Sequence, residues 1–401
     1  MIWINKEHEF ELQEHRYKNI KNFYLYGACD KADFVLEQLE YAIESLGLRN
    51  EINIYFVDKN ENKTEYLGKK VLQPPAFKQR YNANDIVVVC VNPNSIGEVW
   101  DILQHVGCEK NINAFEPYEF YRYLSLILYY KCNKLYLHLV DLYMNTFCNL
   151  NCKECYVQTY RGVRKQASEN EIKQNIDMLF AKADSVGIIS FGIAEGFMNK
   201  GLPFAVKYIC DNYADKFGEV HVTTNGTIIP QGGFLDSLKN PKVKVVVDDY
   251  RENVALARTN YAKVIEVLKK NEIRFDELRR DHWDESGFGK KNTWNDEQLS
   301  NNYARCVCLA KGFPYVGYSE TSDKMYSCVF QTINTYLNLI EEDKNDSISF
   351  SRASKIEIIE FLLGYTEKGY LSACKYCNGV FCDIEYNHIP VAIQIEKGRT
   401  D

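Results

Sequence analysis

CNLNCKECY, Cys148 to Tyr156, sets three cysteines within eight residues, with three and then two positions between them. The trio poses a ligand question. A structural zinc site closes with four ligands, usually from two CxxC pairs, and no fourth Cys or His matches this loop nearby in the sequence. A [4Fe-4S] cube held by three cysteines leaves one iron open, and an open position is what a catalytic cluster needs. The loop follows an apolar stretch, LYLHLVDLYMN, that reads as a strand.

The rest of the composition narrows the class. A chain of 401 residues exceeds what a single core supports, so two or three domains are expected. Apolar content of 46%, aromatic content of 13% and charged content of 26% are those of an ordinary globular protein. A net charge of -7 disfavours nucleic acid or an anionic membrane as the main partner, because those binders neutralise phosphates with clustered Lys and Arg. A small or peptidic substrate fits better. The opening MIWINKEHEF has charges where a signal peptide needs an apolar core, which points to a cytoplasmic protein. The apolar YLSLILYY, 123 to 130, ends at Lys131 and falls short of the roughly 20 residues of a membrane span, so it reads as a buried helix or strand. Of the 14 cysteines, those that cluster point to metal or redox chemistry in a reducing compartment. Isolated ones such as Cys29, Cys90 and Cys210 read as small core residues.

Along the chain, NFYLYGA (22 to 28), INIYFVD (52 to 58) and DIVVVCV (85 to 91) alternate with helical patterns, giving βαβ units and a parallel sheet. This first domain, 1–125, is Rossmann-like. Its loop GACDKA keeps Gly27, but Cys29 and Ala32 stand where the dinucleotide fingerprint has its second and third glycines. Asp58, ending the second strand, either meets a ribose hydroxyl or simply closes the strand. From 126 to 303 the alternation resumes, with Ser168 and Glu171 placed to cap a helix, then GIISFGI, EVHVTTNGT, VKVVVDDY and IRFDEL as strands. That pattern is a partial (β/α)6 barrel. A cysteine-rich α+β extension occupies 304–401.

With these elements in place, the CxxxCxxC of Cys148, Cys152 and Cys155, followed by an aromatic Tyr156, resembles the radical SAM superfamily. The resemblance implies S-adenosyl-L-methionine on the open iron of a [4Fe-4S] cluster, reductive cleavage to a 5′-deoxyadenosyl radical, and hydrogen abstraction from a substrate. It further implies that Glu195 in FGIAEGF stands where the family has a GGE-type turn holding the methionine amino group, although Ile193 and Ala194 replace the glycines. Thr224 and Asn225 of VTTNGT would line the adenosine side. Asp248 and Asp249 correspond to a fourth-strand position that contacts ribose or substrate, and strand alternation lets only one of them face the cavity. The charged loop RRDHWDESGFG, 279 to 289, offers Arg280, Asp281, His282 and Trp283 as rim contacts.

The second cysteine set, Cys306, Cys308, Cys328, Cys374, Cys377 and Cys382, brackets a hairpin-like YVGYSETSDKMYSC and a helix-like SKIEIIEFLLG. It resembles the twitch domain, the shortened relative of the SPASM extension, which implies one auxiliary [4Fe-4S] cluster. Cys328, Cys374 and Cys377 are its ligands, with Cys306 or Cys308 as the fourth and Cys308 preferred. CxxC plus two cysteines also suits zinc.

The resemblance as a whole implies an enzyme of glycan or polysaccharide biosynthesis that dehydrogenates or epimerises a small-molecule or carrier-linked carbohydrate. A flavodoxin- or ferredoxin-type electron donor would serve it. The alternatives are a peptide maturase acting on a ribosomal precursor and a non-enzymatic zinc-binding protein.

Overall fold

The computed structural model describes residues 9–161, 164–191, 194–285, 287, 290–306, 315–316, 323–379 and 388–395. The chain forms two compact units: Ile4–His138 with Ala183–Gly187, and Met1–Trp3, Leu139–Lys182 and Ile188–Asp401.

The first unit holds a six-stranded sheet of β1 (Asn22–Tyr26), β2 (Asn53–Val57), β3 (Glu65–Tyr66), β4 (Lys69–Leu72), β5 (Ile86–Val89) and β6 (Ala114–Phe115), in the order β3-β4-β2-β1-β5-β6. β1 runs parallel to both β2 and β5, with Tyr24 opposite Tyr55 and Val87. All four residues of β5 are buried, as expected for an apolar run covered on both faces of a parallel sheet. Helices Asp33–Ser45, Pro74–Arg80 and Ile96–His105 make the crossovers. Gly27 ends β1 at φ +115°, and a Cβ there would lie 2.8 Å from the Cys90 carbonyl oxygen; only glycine lets the chain turn so close to β5. Asp58 accepts from the Ala28 and Asn60 N–H groups, and Lys63 donates to the Ala28 carbonyl. The carboxylate thus pins the turn after β1.

YLSLILYY lies in the helix Pro117–Cys132, which starts on proline and stops where Asn133 takes φ 56°. Proline at the first turn and a left-handed Asn just past the end are ordinary helix boundaries.

Further along the chain, β7 (Tyr136–Leu142), β8 (Ser185–Ser190), β9 (Phe217–Thr224), β10 (Val243–Asp248) and β11 (Phe275–Leu278) alternate with helices Glu169–Lys182, Leu202–Tyr213, Gly232–Ser237 and Ala255–Lys270. This is the α/β architecture of a partial barrel. Ser168 and Glu171 cap the first helix reciprocally, at 2.6 Å from the Ser168 N–H to the carboxylate and 3.3 Å back to the hydroxyl. β12 (Trp283–Asp284) leaves this sheet. Its full order is β11-β10-β9-β8-β7-β13-β14-β15, in which β13 (Tyr315–Val316) lies parallel to β7 and antiparallel to β14 (Lys324–Tyr326), with β15 (Ile348–Ser349) at the edge. The extension therefore continues the barrel sheet. β12 pairs instead with β16 (His388–Ile389).

Replacing Gly27 with Ala is expected to cost on the order of 1–3 kcal/mol, the range for a disfavoured backbone conformation. Peptide-resolved hydrogen exchange should then speed up across β1 and β5; unchanged exchange there would contradict the close packing.

Candidate functional site

Each barrel strand delivers its chemistry at its carboxyl end, where such folds place their sites. After β7 comes the cysteine loop. Cys152 is buried, and Cys148 and Cys155 pack beside it on Leu150, Val254, Ala257, Val391 and Ala392. Each sulfur meets a donor. Asn225 Nδ2 and the Leu150 N–H donate to Cys148 Sγ at 3.3 and 3.4 Å, Gln394 Nε2 to Cys152 Sγ at 3.1 Å, and Thr159 Oγ1 to Cys155 Sγ at 3.9 Å. Burial pushes the Cys148 thiol up, and the Glu195 charge adds to this. The Cys152 thiol is pushed up to about 12, first by burial and then by Cys155, against the Gln394 donor. Thiols that crowd together in an apolar nest, yet receive N–H and O–H donors on sulfur, are poor anions until a cation takes their protons. The donor set fits an iron-sulfur cluster.

Gln394 had no local signal in the sequence, since it lies 242 residues from Cys152. It arrives because the C-terminal tail pairs with the loop: Lys153 N–H donates to the Ile393 carbonyl at 2.7 Å and Ile395 N–H to the Asn151 carbonyl at 2.8 Å. The Asn151 N–H donates to Gln394 Oε1 at 2.9 Å and so fixes the side chain that serves Cys152.

After β8, Glu195 is fully buried. It accepts from the Phe197 N–H at 2.9 Å, Thr224 Oγ1 at 2.7 Å and the Asn225 N–H at 2.8 Å. Ala194 sits at φ 61°, a conformation that favours glycine. A Cβ on Gly196 would meet the Thr223 carbonyl oxygen at 2.6 Å, so glycine is required for the turn to lie against β9. Burial raises the Glu195 carboxyl to about 7 against its three hydrogen bonds, with the Asp248 charge adding to the rise. Ile193 lies outside the described residues.

Thr224 and Asn225 close β9. Asn225 joins the two halves of the site, since its backbone serves Glu195 while its side chain serves Cys148 and accepts from Thr227. At the end of β10 the acidic pair diverges. Asp249 is taken by Arg251, whose Nε and Nη2 donate at 2.8 and 2.7 Å. Asp248 is buried; its Oδ2 accepts from Tyr250 at 3.1 Å, while Oδ1 has no hydrogen-bond donor among the described residues and lies 4.0 Å from Arg280 Nε. Burial raises its carboxyl, with Arg280 and Tyr250 opposing. Tyr156 keeps 47% of its surface exposed. Desolvation raises its phenol, with Asp141, Cys155 and Asp248 adding to this and Arg280 opposing. Of the rim residues, Trp283 packs edge-on against Tyr250 at 5.8 Å, and His282 stacks on His388.

The second cysteine set gathers at the ends of short elements. Cys306 ends the helix Asp296–Arg305, Cys328 begins the helix Val329–Tyr336, and Cys374 and Cys377 lie within and just after the 3-10 turn Ser372–Tyr376. Burial pushes Cys374 up to about 12 and raises Cys377 well beyond its usual range, and Cys306 adds to both. The Gly379 N–H donates to Cys377 Sγ at 3.3 Å. Gln331, itself fully buried, accepts from the Ala373 N–H at 2.8 Å and braces the turn. Cys308 and Cys382 lie outside the described residues.

Residues 142–274 match the family model described as the Radical SAM superfamily. That stretch carries a radical SAM domain. Similar solved structures include BtrN in complex with AdoMet and 2-DOIA, at 16% identity over 64% of this chain and 99% of that one, with a TM-score of 0.38. Streptococcus suis SuiB is similar at 14% identity over 61% of this chain and 56% of that one, TM-score 0.31. AnSMEcpe with bound AdoMet and Cp18Cys peptide is similar at 14% identity over 62% and 92%, TM-score 0.37. No curated protein matches the chain. Among the described residues, no helix is long and apolar enough to cross a membrane.

The raised Glu195 carboxyl sets a pH dependence. The folded state holds this proton more tightly than the unfolded state, so in ligand-free protein its stabilising contribution is lost as pH rises from about 4.5 to about 7. At about 1.4 kcal/mol per pH unit, the loss is on the order of 3 kcal/mol. Glu195→Gln should flatten that decline, read as urea midpoints at several pH values; parallel curves for both proteins would contradict the burial of the charge.

Proposed function

We propose that this chain is a radical SAM enzyme that takes hydrogen from a carbohydrate-type substrate, by dehydrogenation or epimerisation, in glycan or polysaccharide biosynthesis. The convergence of the three donor-served thiols with the buried Glu195 carboxylate carries the reading. Cys148, Cys152 and Cys155 hold the SAM-binding [4Fe-4S] cluster. Bound there, the cluster and S-adenosylmethionine supply a carbon-centred radical able to abstract a hydrogen atom.

The protein's part is to bind and orient. Glu195, held from three sides, receives the methionine ammonium, and that charge lowers a carboxyl that burial has raised. Thr224 and Asn225 fix the carboxylate and face the adenosine side. Asp248, with one buried oxygen still lacking a donor, meets a hydroxyl or amine of ribose or substrate, while Asp249 anchors the rim through Arg251.

Cys328, Cys374 and Cys377 hold an auxiliary [4Fe-4S] cluster with a fourth thiol from the Cys306–Cys308 pair. Cys308 is the preferred fourth ligand, with Cys306 as the alternative. Such a cluster offers an acceptor for a substrate electron, which suits dehydrogenation, and a flavodoxin- or ferredoxin-type protein supplies the reducing electron. The six-stranded α/β sheet of the first unit, unlike a winged helix, supports a carbohydrate over a precursor peptide.

Anaerobic reconstitution should give about eight irons per chain, four for each cube, and dithionite should drive 5′-deoxyadenosine formation. Cys152→Ala is expected to abolish that formation. Cys377→Ala should halve the iron and stop product formation while cleavage continues. Deuterium carried from labelled carbohydrates into 5′-deoxyadenosine supports the substrate class. Deuterium arriving from a precursor peptide instead would replace it, and intact S-adenosylmethionine in a zinc-loaded protein would remove the radical reading altogether.

A further inference from the structure

Away from both cysteine sets, β12 and β16 bring His282, Asp284 and His388 together, with one ligand atom from each lying within 4.8 Å of the others. Asp284 Oδ1 is 3.2 Å from His388 Nδ1 and 4.0 Å from His282 Nε2. The imidazole ring centroids lie 3.8 Å apart, with the ring planes tilted by 42°. The strands pair antiparallel, Asp284 opposite His388. The pairing fixes the backbone of two of the three donors.

We propose that His282, Asp284 and His388 form a binding site for a divalent transition-metal cation of the zinc class, which staples the C-terminal tail to the barrel rim. Two imidazoles and one carboxylate are the ligands such a cation takes, with water in the open position. Bonds of about 2.0–2.1 Å at tetrahedral angles place donors about 3.3 Å apart, against an observed spread within 4.8 Å. Each imidazole offers a ring nitrogen as a ligand, and the carboxylate supplies charge.

The staple has structural work to do. A ladder two residues long on each side is marginal in water by itself, yet β16 leads directly into the segment that carries Gln394 to Cys152. A cation across β12 and β16 fastens that segment, so occupancy of the rim and the order of the tail beside the cysteine loop are linked.

The test uses reconstituted protein with its iron-sulfur clusters filled, desalted and titrated anaerobically with zinc against a chromophoric chelator. Wild type should take up one equivalent, with a zinc K-edge first shell of N and O at about 2.0–2.1 Å and no sulfur at about 2.3 Å. His282→Ala and His388→Ala should each weaken uptake by at least about tenfold, a floor set by what the loss of an outer-shell partner alone costs. Unchanged iron content controls for folding in both variants. Zinc should also slow hydrogen exchange over residues 388–395 in wild type and not in His388→Ala. Equal uptake by wild type and both variants, no uptake at all, or a sulfur shell would overturn the site; uptake without protection of 388–395 would overturn the staple. A sulfur shell together with low iron would count against the iron-sulfur reading as well, whereas a site lost with iron intact leaves that reading standing.

Discussion

Three soft sulfurs held in an apolar nest, each touched by a hydrogen-bond donor, are the constraint around which the second unit is built. A buried thiolate trio is unstable as a set of anions, so the fold supplies what anions lack: the Leu150 N–H, Asn225, Gln394 and Thr159 on the sulfurs. Two of these donors come from far along the chain. The cysteine loop is therefore completed by β9 and by the C-terminal tail.

The same economy recurs around Glu195. Its carboxylate accepts three hydrogen bonds from the protein, two of them from the end of β9, so the turn after β8 and the end of β9 are locked in one arrangement. The lock has a strained partner in Ala194, which takes a left-handed conformation without glycine's freedom. Strain of this kind persists only where the surroundings over-determine the backbone, and here three hydrogen bonds to the next residue do so. Asp248 stands apart from this pattern because, among the described residues, one of its buried oxygens has no hydrogen-bond donor and only Arg280 Nε at 4.0 Å.

In the extension, the four described cysteines sit at helix ends and on a 3-10 turn rather than inside regular elements. Just past the turn, the Gly379 N–H donates to Cys377 Sγ at 3.3 Å. Gln331 and Asp346 hold the turn through the Ala373 and Ser372 N–H groups. The extension joins the barrel by adding β13 beside β7, so its cysteines are carried on a continuous sheet.

The amino-acid sequence determined the local elements and the ligand types. The apolar runs of β1, β2 and β5, the Ser168–Glu171 cap and the CxxxCxxC spacing all depend on neighbours within a few residues, and periodicity and capping chemistry express these directly. YLSLILYY was ambiguous between helix and strand because it is apolar on every side; the proline before it and the left-handed Asn133 after it resolve the choice. Tertiary structure alone decided which member of the Asp248–Asp249 pair turns inward, because strand register is set by pairing with β9 and β11. It also decided that Asp58 is spent on the turn after β1, and that Gln394 and His388 belong beside the cysteine loop and the rim. Those contacts join residues 30 to 242 positions apart, and they exist only once the sheets have closed and brought distant strand ends and the tail to one face.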